Sequence, residues 1–205
     1  KVYPWNAGGQ KGIAACEASL RRLGTEYIDL YLLHWRGNYS LDETVRLMET
    51  LQQQGKIGRW GVSNLDYADM QELWQVPGGQ ACATNQVLYH LASRGIEYDL
   101  LPWCQQQSMP VIAYCPLAQA GRLRTGLFNH PVVNAVAKEY NATAAQILLA
   151  WVIGHRGVMA IPKASSIQHV EENAGALAIS LSAEAVMQLD AAFPAPKQKT
   201  ALDVV

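Results

Sequence analysis

The stretch Ile28-Asp29-Leu30-Tyr31-Leu32-Leu33-His34 is an apolar, strand-like run that ends in a side chain suited to chemistry, and the pattern recurs along the chain. Runs at 57–62, 83–87, 111–113 and 158–161 are joined or followed by Ser63-Asn64, Gln86, Tyr114 and Lys163. Lys1 stands at what reads as the end of a further strand, Lys1-Val2-Tyr3. In a parallel α/β protein the carboxyl ends of the strands meet on one face, so these residues are expected to surround one pocket.

Between the runs lie segments with helical period and helical punctuation, in units of roughly 26 to 30 residues, as strand–helix repeats require. The best marked begins at Ser40-Leu41-Asp42-Glu43, where Ser40 is expected to cap and Glu43 to reach back as a capping box. Val45, Met48 and Leu51 form its apolar stripe, and Gly55 marks its end. An earlier helix is expected over 13–23 with Gly24 as its stop, and later ones over 67–74, 97–107, 131–140, 143–154, 167–177 and 183–193. The segment 117–130 reads as a loop that shapes a pocket, and 194–205 as an extended tail, either frayed or laid across the pocket mouth.

With 205 residues, half of them apolar, the chain can bury a full core, and residues 1–205 are expected to form one domain. A net charge of −1 without a basic run gives nothing to neutralise phosphate backbones, which points away from nucleic acid and towards a small molecule. Cys16, Cys82, Cys104 and Cys115 lack CxxC spacing and a Cys/His partner pattern, so no metal site is expected, and reduced thiols in a cytoplasmic protein are the economical reading. No apolar stretch reaches the length of a membrane span.

Alternating strands and helices fit an open doubly wound sheet or a (β/α)8 TIM barrel. The first kind, where it binds a dinucleotide, carries a Gly-rich turn after its first strand, and no run here is followed by GxGxxG. A barrel spreads functional groups over many strand ends, as here. Five clear runs and the stub at Lys1 correspond to about strand 3 to strand 8, so the barrel is expected to be incomplete on its amino-terminal side.

The motifs Lys1-Val2-Tyr3-Pro4-Trp5-Asn6, Ile28-Asp29-Leu30-Tyr31-Leu32-Leu33-His34-Trp35, Gly55-Lys56-Ile57-Gly58-Arg59-Trp60-Gly61-Val62-Ser63-Asn64, Asn85-Gln86-Val87, Ala113-Tyr114-Cys115-Pro116-Leu117 and Ile161-Pro162-Lys163 with Glu172-Asn173 follow one another in a known order. In these motifs the chain resembles the aldo-keto reductases, NADP(H)-dependent (β/α)8-barrel enzymes that reduce aldehydes and ketones. Within them it is similar to bacterial members that act on small aldehydes such as methylglyoxal.

The resemblance implies hydride transfer from a nicotinamide to a carbonyl carbon and a catalytic Asp, Tyr, Lys and His. Lys1 and His34 match the last two. The Asp and Tyr would stand upstream of Lys1, and Tyr3, Tyr27 and Tyr31 lie outside the matching motif. Ser63, Asn64 and Gln86 match the partners of the nicotinamide carboxamide, and Tyr114 the aromatic under the ring, with Cys115 and Leu117 beside it. Lys163 matches the cation at the adenosine 2'-phosphate, with Ala164, Ser165, Ser166 and His169 nearby, and Glu172 and Asn173 match adenine contacts. Many members carry an Arg where His169 stands, which lowers the expected margin of NADPH over NADH. Trp5 and Trp35 are expected to wall the pocket for a small carbonyl substrate.

Cys115 reads as a buried, inert thiol, and His90, His130 and His155 as surface or structural residues. The leading expectation is an NADPH-dependent reductase of aldehydes and 2-oxoaldehydes. The alternative is a non-catalytic NADP-binding or regulatory protein of the same fold.

Overall fold

The computed structural model describes residues 1–205 and divides into two compact units, Lys1–Gln86 and Val87–Val205. In the first, a short 3-10 turn, Pro4–Asn6, leads into helix α1 (Gly9–Leu23), strand β1 (Ile28–Leu32), helix α2 (Leu41–Gln53), strand β2 (Ile57–Ser63) and helix α3 (Tyr67–Gln75). Strand β3 (Asn85–Leu88) begins at its end. All pairings are parallel: Val2 bridges Leu33, Ile28 faces Ile57, Tyr31 faces Trp60, and Ser63 faces Gln86. Parallel order puts the carboxyl ends of β1 and β2, and thus His34 and Ser63, at one end of the unit, and the register sets Gln86 beside Ser63.

Helix α2 forms where its signals stand. Glu43 N donates to Ser40 Oγ at 3.2 Å and Ser40 N to Glu43 Oε2 at 3.0 Å, which satisfies donors that a helix start otherwise leaves open. Leu41, Thr44, Val45, Leu47, Met48 and Leu51 face inward at helical spacing, and all are buried. Buried Thr44 donates to the Ala7 carbonyl at 3.1 Å and so fastens α2 to the loop that follows Lys1. Gly12 permits the close approach of α1 to α2, because a Cβ there would collide with Leu47.

The second unit holds a 3-10 turn, Gly95–Glu97, helix α4 (Leu100–Gln106), strand β4 (Val111–Tyr114), helices α5 (Arg122–Phe128), α6 (Pro131–Glu139) and α7 (Ala144–Ile153), strand β5 (Val158–Ala160), and helices α8 (Ile167–Gly175) and α9 (Ala183–Ala192). Strands β4 and β5 run parallel, with Val111 facing Val158 and Ala113 facing Ala160. Helix α7 is apolar almost throughout and buries Ile147 to Val152 in sequence, which makes it the centre of this unit's core. Beside it, buried Arg94 forks onto Glu97 at 2.8 and 2.7 Å and reaches Asp190 at 2.8 Å, with its guanidinium 4.9 Å from the Trp151 ring. Such a cation is stable out of water only because its donors are met by carboxylates and by the Phe193 carbonyl.

Several elements differ from expectation. Helix α1 starts at Gly9, where Gly8-Gly9 reads as a breaker, because Gly8 caps the helix in extended backbone. The segment expected as one helix over 97–107 is a 3-10 turn followed by α4, whose start is set by Asp99 accepting from Leu100 N at 2.7 Å. The expected loop 117–130 contains α5, a two-turn helix in which Leu127 alone is buried. The tail is not frayed: Lys199 pairs with Asp99 at 2.9 Å, and Ser93 Oγ hydrogen-bonds Asp203. No helix is long and apolar enough to cross a membrane.

Candidate active site

At the carboxyl ends of the first unit's strands, His34 N donates to the Val2 carbonyl at 2.9 Å and Val2 N to the Leu32 carbonyl at 2.8 Å. This short parallel pairing sets Lys1 and Tyr3 on the opposite side from buried Val2. Burial lowers the Lys1 ammonium below its ordinary range. The His34 imidazole is also pulled down, first by burial and then by the positive charge of the Lys1 side chain. His34 is therefore neutral at neutral pH, and one ring nitrogen carries a proton to donate.

Around His34 stands an aromatic wall. Tyr3 stacks on Trp5 at 4.5 Å between ring centroids, lies 5.3 Å from the His34 ring and meets Trp35 edge-on at 5.4 Å. The Trp35 ring lies 4.6 Å from His34 and 5.8 Å from Trp5. Tyr3, Trp5 and Trp35 are 47, 58 and 36% exposed, so the cluster is apolar surface open to a ligand rather than filled core. Tyr3 is the residue that sequence reasoning left out of the wall. Its alternation with Lys1 across Val2 is the signal that places it on the same side.

Next to this wall, fully buried Ser63 donates through Oγ to the Gln86 carbonyl at 2.8 Å. Asn64 takes a left-handed backbone, φ 58°, its N–H also donates to the Gln86 carbonyl at 3.0 Å, and its Nδ2 donates to the His34 carbonyl at 3.2 Å. Gln86 is buried, and its backbone carbonyl therefore anchors both Ser63 and Asn64. Neighbouring Asn85 donates to the Leu65 carbonyl at 2.7 Å and leaves its own buried Oδ1 without a partner. A buried acceptor left without a partner is costly. The cap of α3 is Asp66, whose carboxylate accepts from Tyr67 N at 2.7 Å.

In the second unit, Tyr114 is half-buried at the end of β4, and its hydroxyl is pushed up by burial first and by Cys115 second. Cys115 has φ 49° and begins a turn in which Ala118 N donates to its carbonyl at 2.8 Å, with Leu117 buried beneath. The Cys115 thiol is partly exposed, a correction to the expected burial, because the left-handed turn lifts it off the core. Burial still pushes it up, so it is a protonated, weak nucleophile at neutral pH.

Beyond β5, Lys163 is exposed and pairs with no carboxylate. Ser166 caps α8 by accepting from His169 N at 3.2 Å, and the first turn of α8 contains no acidic residue. Ala164 is half-buried, Ser165 and His169 are exposed, and Glu172 and Asn173 are half-buried on α8. The cation, the hydroxyls and the positive end of α8 together suit a phosphate.

His90 is buried, its Nδ1 accepts from Ala92 N at 3.2 Å, and burial pulls it down to about 4. His130 caps α6 by accepting from Val132 N at 3.3 Å, and His155 Nδ1 lies 2.9 Å from the Trp151 carbonyl. All three are structural. A groove of about 470 Å³ lined by Glu17, Arg21 and Lys56 lies at the amino ends of the strands, where Lys56 precedes β2, and holds none of the expected site residues.

Residues 1–193 match the Aldo/keto reductase family. The methylglyoxal reductase YeaE of Escherichia coli K12 is 71% identical over 205 residues, which is all of this chain and 72% of that protein. A crystal structure of an aldo/keto reductase from Klebsiella pneumoniae in complex with NADP and acetate superposes with a TM-score of 0.97 at 64% identity, over 100% of this chain and 72% of that one. A second Klebsiella pneumoniae aldo-keto reductase, in complex with NADPH, gives 0.97 at 65% identity with the same shares. These likenesses bear out the expected (β/α)8 barrel class for the parallel strand–helix architecture.

Proposed function

Because the chain belongs to the aldo/keto reductase family, we propose that it reduces small aldehydes and 2-oxoaldehydes such as methylglyoxal to alcohols with NADPH. The observation that carries this reading is a neutral His34 beside the Lys1 ammonium, enclosed by an open wall of Tyr3, Trp5 and Trp35. A relative named a methylglyoxal reductase and neighbours that bind NADP or NADPH support it.

The residues present fit the cofactor. Gln86 stands in register beside Ser63, where its side-chain amide can meet a carboxamide, and exposed Lys163 is in no ion pair with a carboxylate, which leaves it for a phosphate. Ser63 and Asn64 would orient the carboxamide with Gln86, and Tyr114 would support the ring with Cys115 and Leu117 at its margin. Lys163, Ala164, Ser165, Ser166 and His169 would hold the 2'-phosphate end, and Glu172 with Asn173 the adenine.

Bound NADPH supplies the hydride. His34 would donate a hydrogen bond to the carbonyl oxygen and orient it, and the Lys1 ammonium would lower the pKa of the Tyr that the resemblance implies, whose proton converts the alkoxide left by hydride addition to the alcohol. The aromatic wall excludes water from one side of a small substrate. We place the protein in a reducing cytoplasm, supported by four cysteines that form no disulfide.

The alternative reading is cofactor binding without turnover in a protein of the same fold. Absorbance at the NADPH band separates the two. The reductase consumes NADPH only when methylglyoxal is added, whereas binding without turnover quenches protein fluorescence and leaves NADPH intact.

A further inference from the structure

The loop that carries His34 and Trp35 has no regular secondary structure through residue 39, and the Trp35 ring meets the rings of Tyr3, Trp5 and His34, none of them buried. Polar contacts hold the loop from one side. Arg36 Nη1 donates to Asp69 Oδ1 and to Glu72 Oε2, each at 2.6 Å, and Nη2 donates to Glu72 Oε1 at 2.7 Å. A guanidinium that forks onto one carboxylate and shares a second has little freedom to rotate. Asp69 is itself fixed, because its other oxygen accepts from Asp66 N at 3.2 Å and closes the capping box of α3. On the other side of the loop, Gly37 lies against Pro4, and a Cβ there would collide with the Pro4 ring. The loop is thus held between the start of α3, which follows Ser63-Asn64, and the turn that carries Trp5.

We propose that Arg36 is a positioning residue that fixes Trp35 over the carbonyl site and thereby sets the preference for small substrates, an inference that rests on the reductase reading above. Arg36 reaches no reacting atom in this account. It acts through Trp35 and through the Asn64 contact with the His34 carbonyl. Without the fork, the Trp35 ring loses its fixed distance to Tyr3 and His34, small carbonyls lose their enclosure, and bulkier aldehydes lose less.

The test compares the full chain with Arg36→Ala, Arg36→Lys and Glu72→Gln, using methylglyoxal and a bulky aromatic aldehyde. Exposed ion pairs are individually weak, so the expected rise in KM for methylglyoxal is about 3- to 10-fold with kcat within about twofold. The same variant should change KM for the bulky aldehyde by less than about twofold, and Arg36→Lys should restore only part of the loss because an ammonium cannot fork. NADPH affinity, read by fluorescence quenching, should not move.

Raising salt should increase KM of the native protein towards that of Arg36→Ala. Equal KM values in native and variant protein, or a parallel loss of NADPH affinity, would overturn the proposal. If the native protein shows no carbonyl-dependent turnover, the reductase reading fails and the clamp is judged by fluorine NMR of 5-fluorotryptophan protein. The Trp35 resonance, assigned through Trp35→Phe, should broaden or shift in Arg36→Ala, and an unchanged signal refutes the clamp.

Discussion

Ser63 and Ser166 carry the same hydroxyl, yet Ser63 is fully buried at the end of β2 while Ser166 is exposed at the cap of α8. Around Ser63 every neighbour is fixed: Gln86 accepts its proton, Asn64 is held on the His34 carbonyl, and His34 is paired to Val2. Around Ser166, α8 buries none of its side chains, and Lys163 has no partner. In the proposed reading the first region would work by geometry, where small displacements matter. The second would work by charge, which tolerates displacement and is screened by salt.

The largest effect should come from the geometric side. His34→Ala is expected to lower kcat by about 100- to 1000-fold while NADPH affinity stays within about twofold, checked by steady-state kinetics beside fluorescence titration. An equal loss in both quantities would remove His34 from the catalytic role.

The second unit also has a buried histidine, and it sharpens the contrast through stability. His90 is pulled down to about 4 in the folded protein by burial, partly offset by Asp203. Its folded value lies below its ordinary one, so its contribution is complete above about pH 6.5 and is lost as pH falls towards 4. Urea midpoints should fall across that window by an amount equivalent to about 2 kcal/mol, and His90→Gln should flatten the dependence. An unchanged slope in the variant would assign the pH effect elsewhere.

Gln86→Ala should weaken NADPH and NADH alike by about 10-fold, because the carboxamide loses a buried partner. Lys163→Ala should weaken NADPH by about 5-fold at low salt, less at high salt, and leave NADH unchanged. An unchanged NADPH/NADH ratio would contradict the phosphate assignment. His169→Arg, which adds a guanidinium near the start of α8, should tighten NADPH by about 2- to 3-fold.

Much of the scaffold was legible because its signals are local. The capping box at Ser40 and Glu43, the apolar stripe of α2 and the run 28–33 each follow from residues within one turn or one strand. Helix α5 was missed because Arg122-Leu123-Arg124-Thr125-Gly126-Leu127-Phe128 buries Leu127 alone and has an internal glycine, so its apolar period is nearly absent. The early start of α1 was missed because Gly8-Gly9 has the composition of a turn, and only the backbone angles reveal a cap. In the site, the strand-end residues could be read from position, but the clamp on Arg36 could not. Its partners lie 33 and 36 residues away, a separation that leaves no periodic trace.

One paired measurement tests the account most directly: NADPH dissociation constants and methylglyoxal turnover for His34→Ala and Lys163→Ala, side by side with the native protein. The account predicts a crossed result. His34→Ala loses turnover and keeps NADPH affinity, while Lys163→Ala loses NADPH affinity and keeps turnover at saturating cofactor. Loss of both properties in both variants, or of neither, would contradict the division between a geometric carbonyl side and an electrostatic phosphate side.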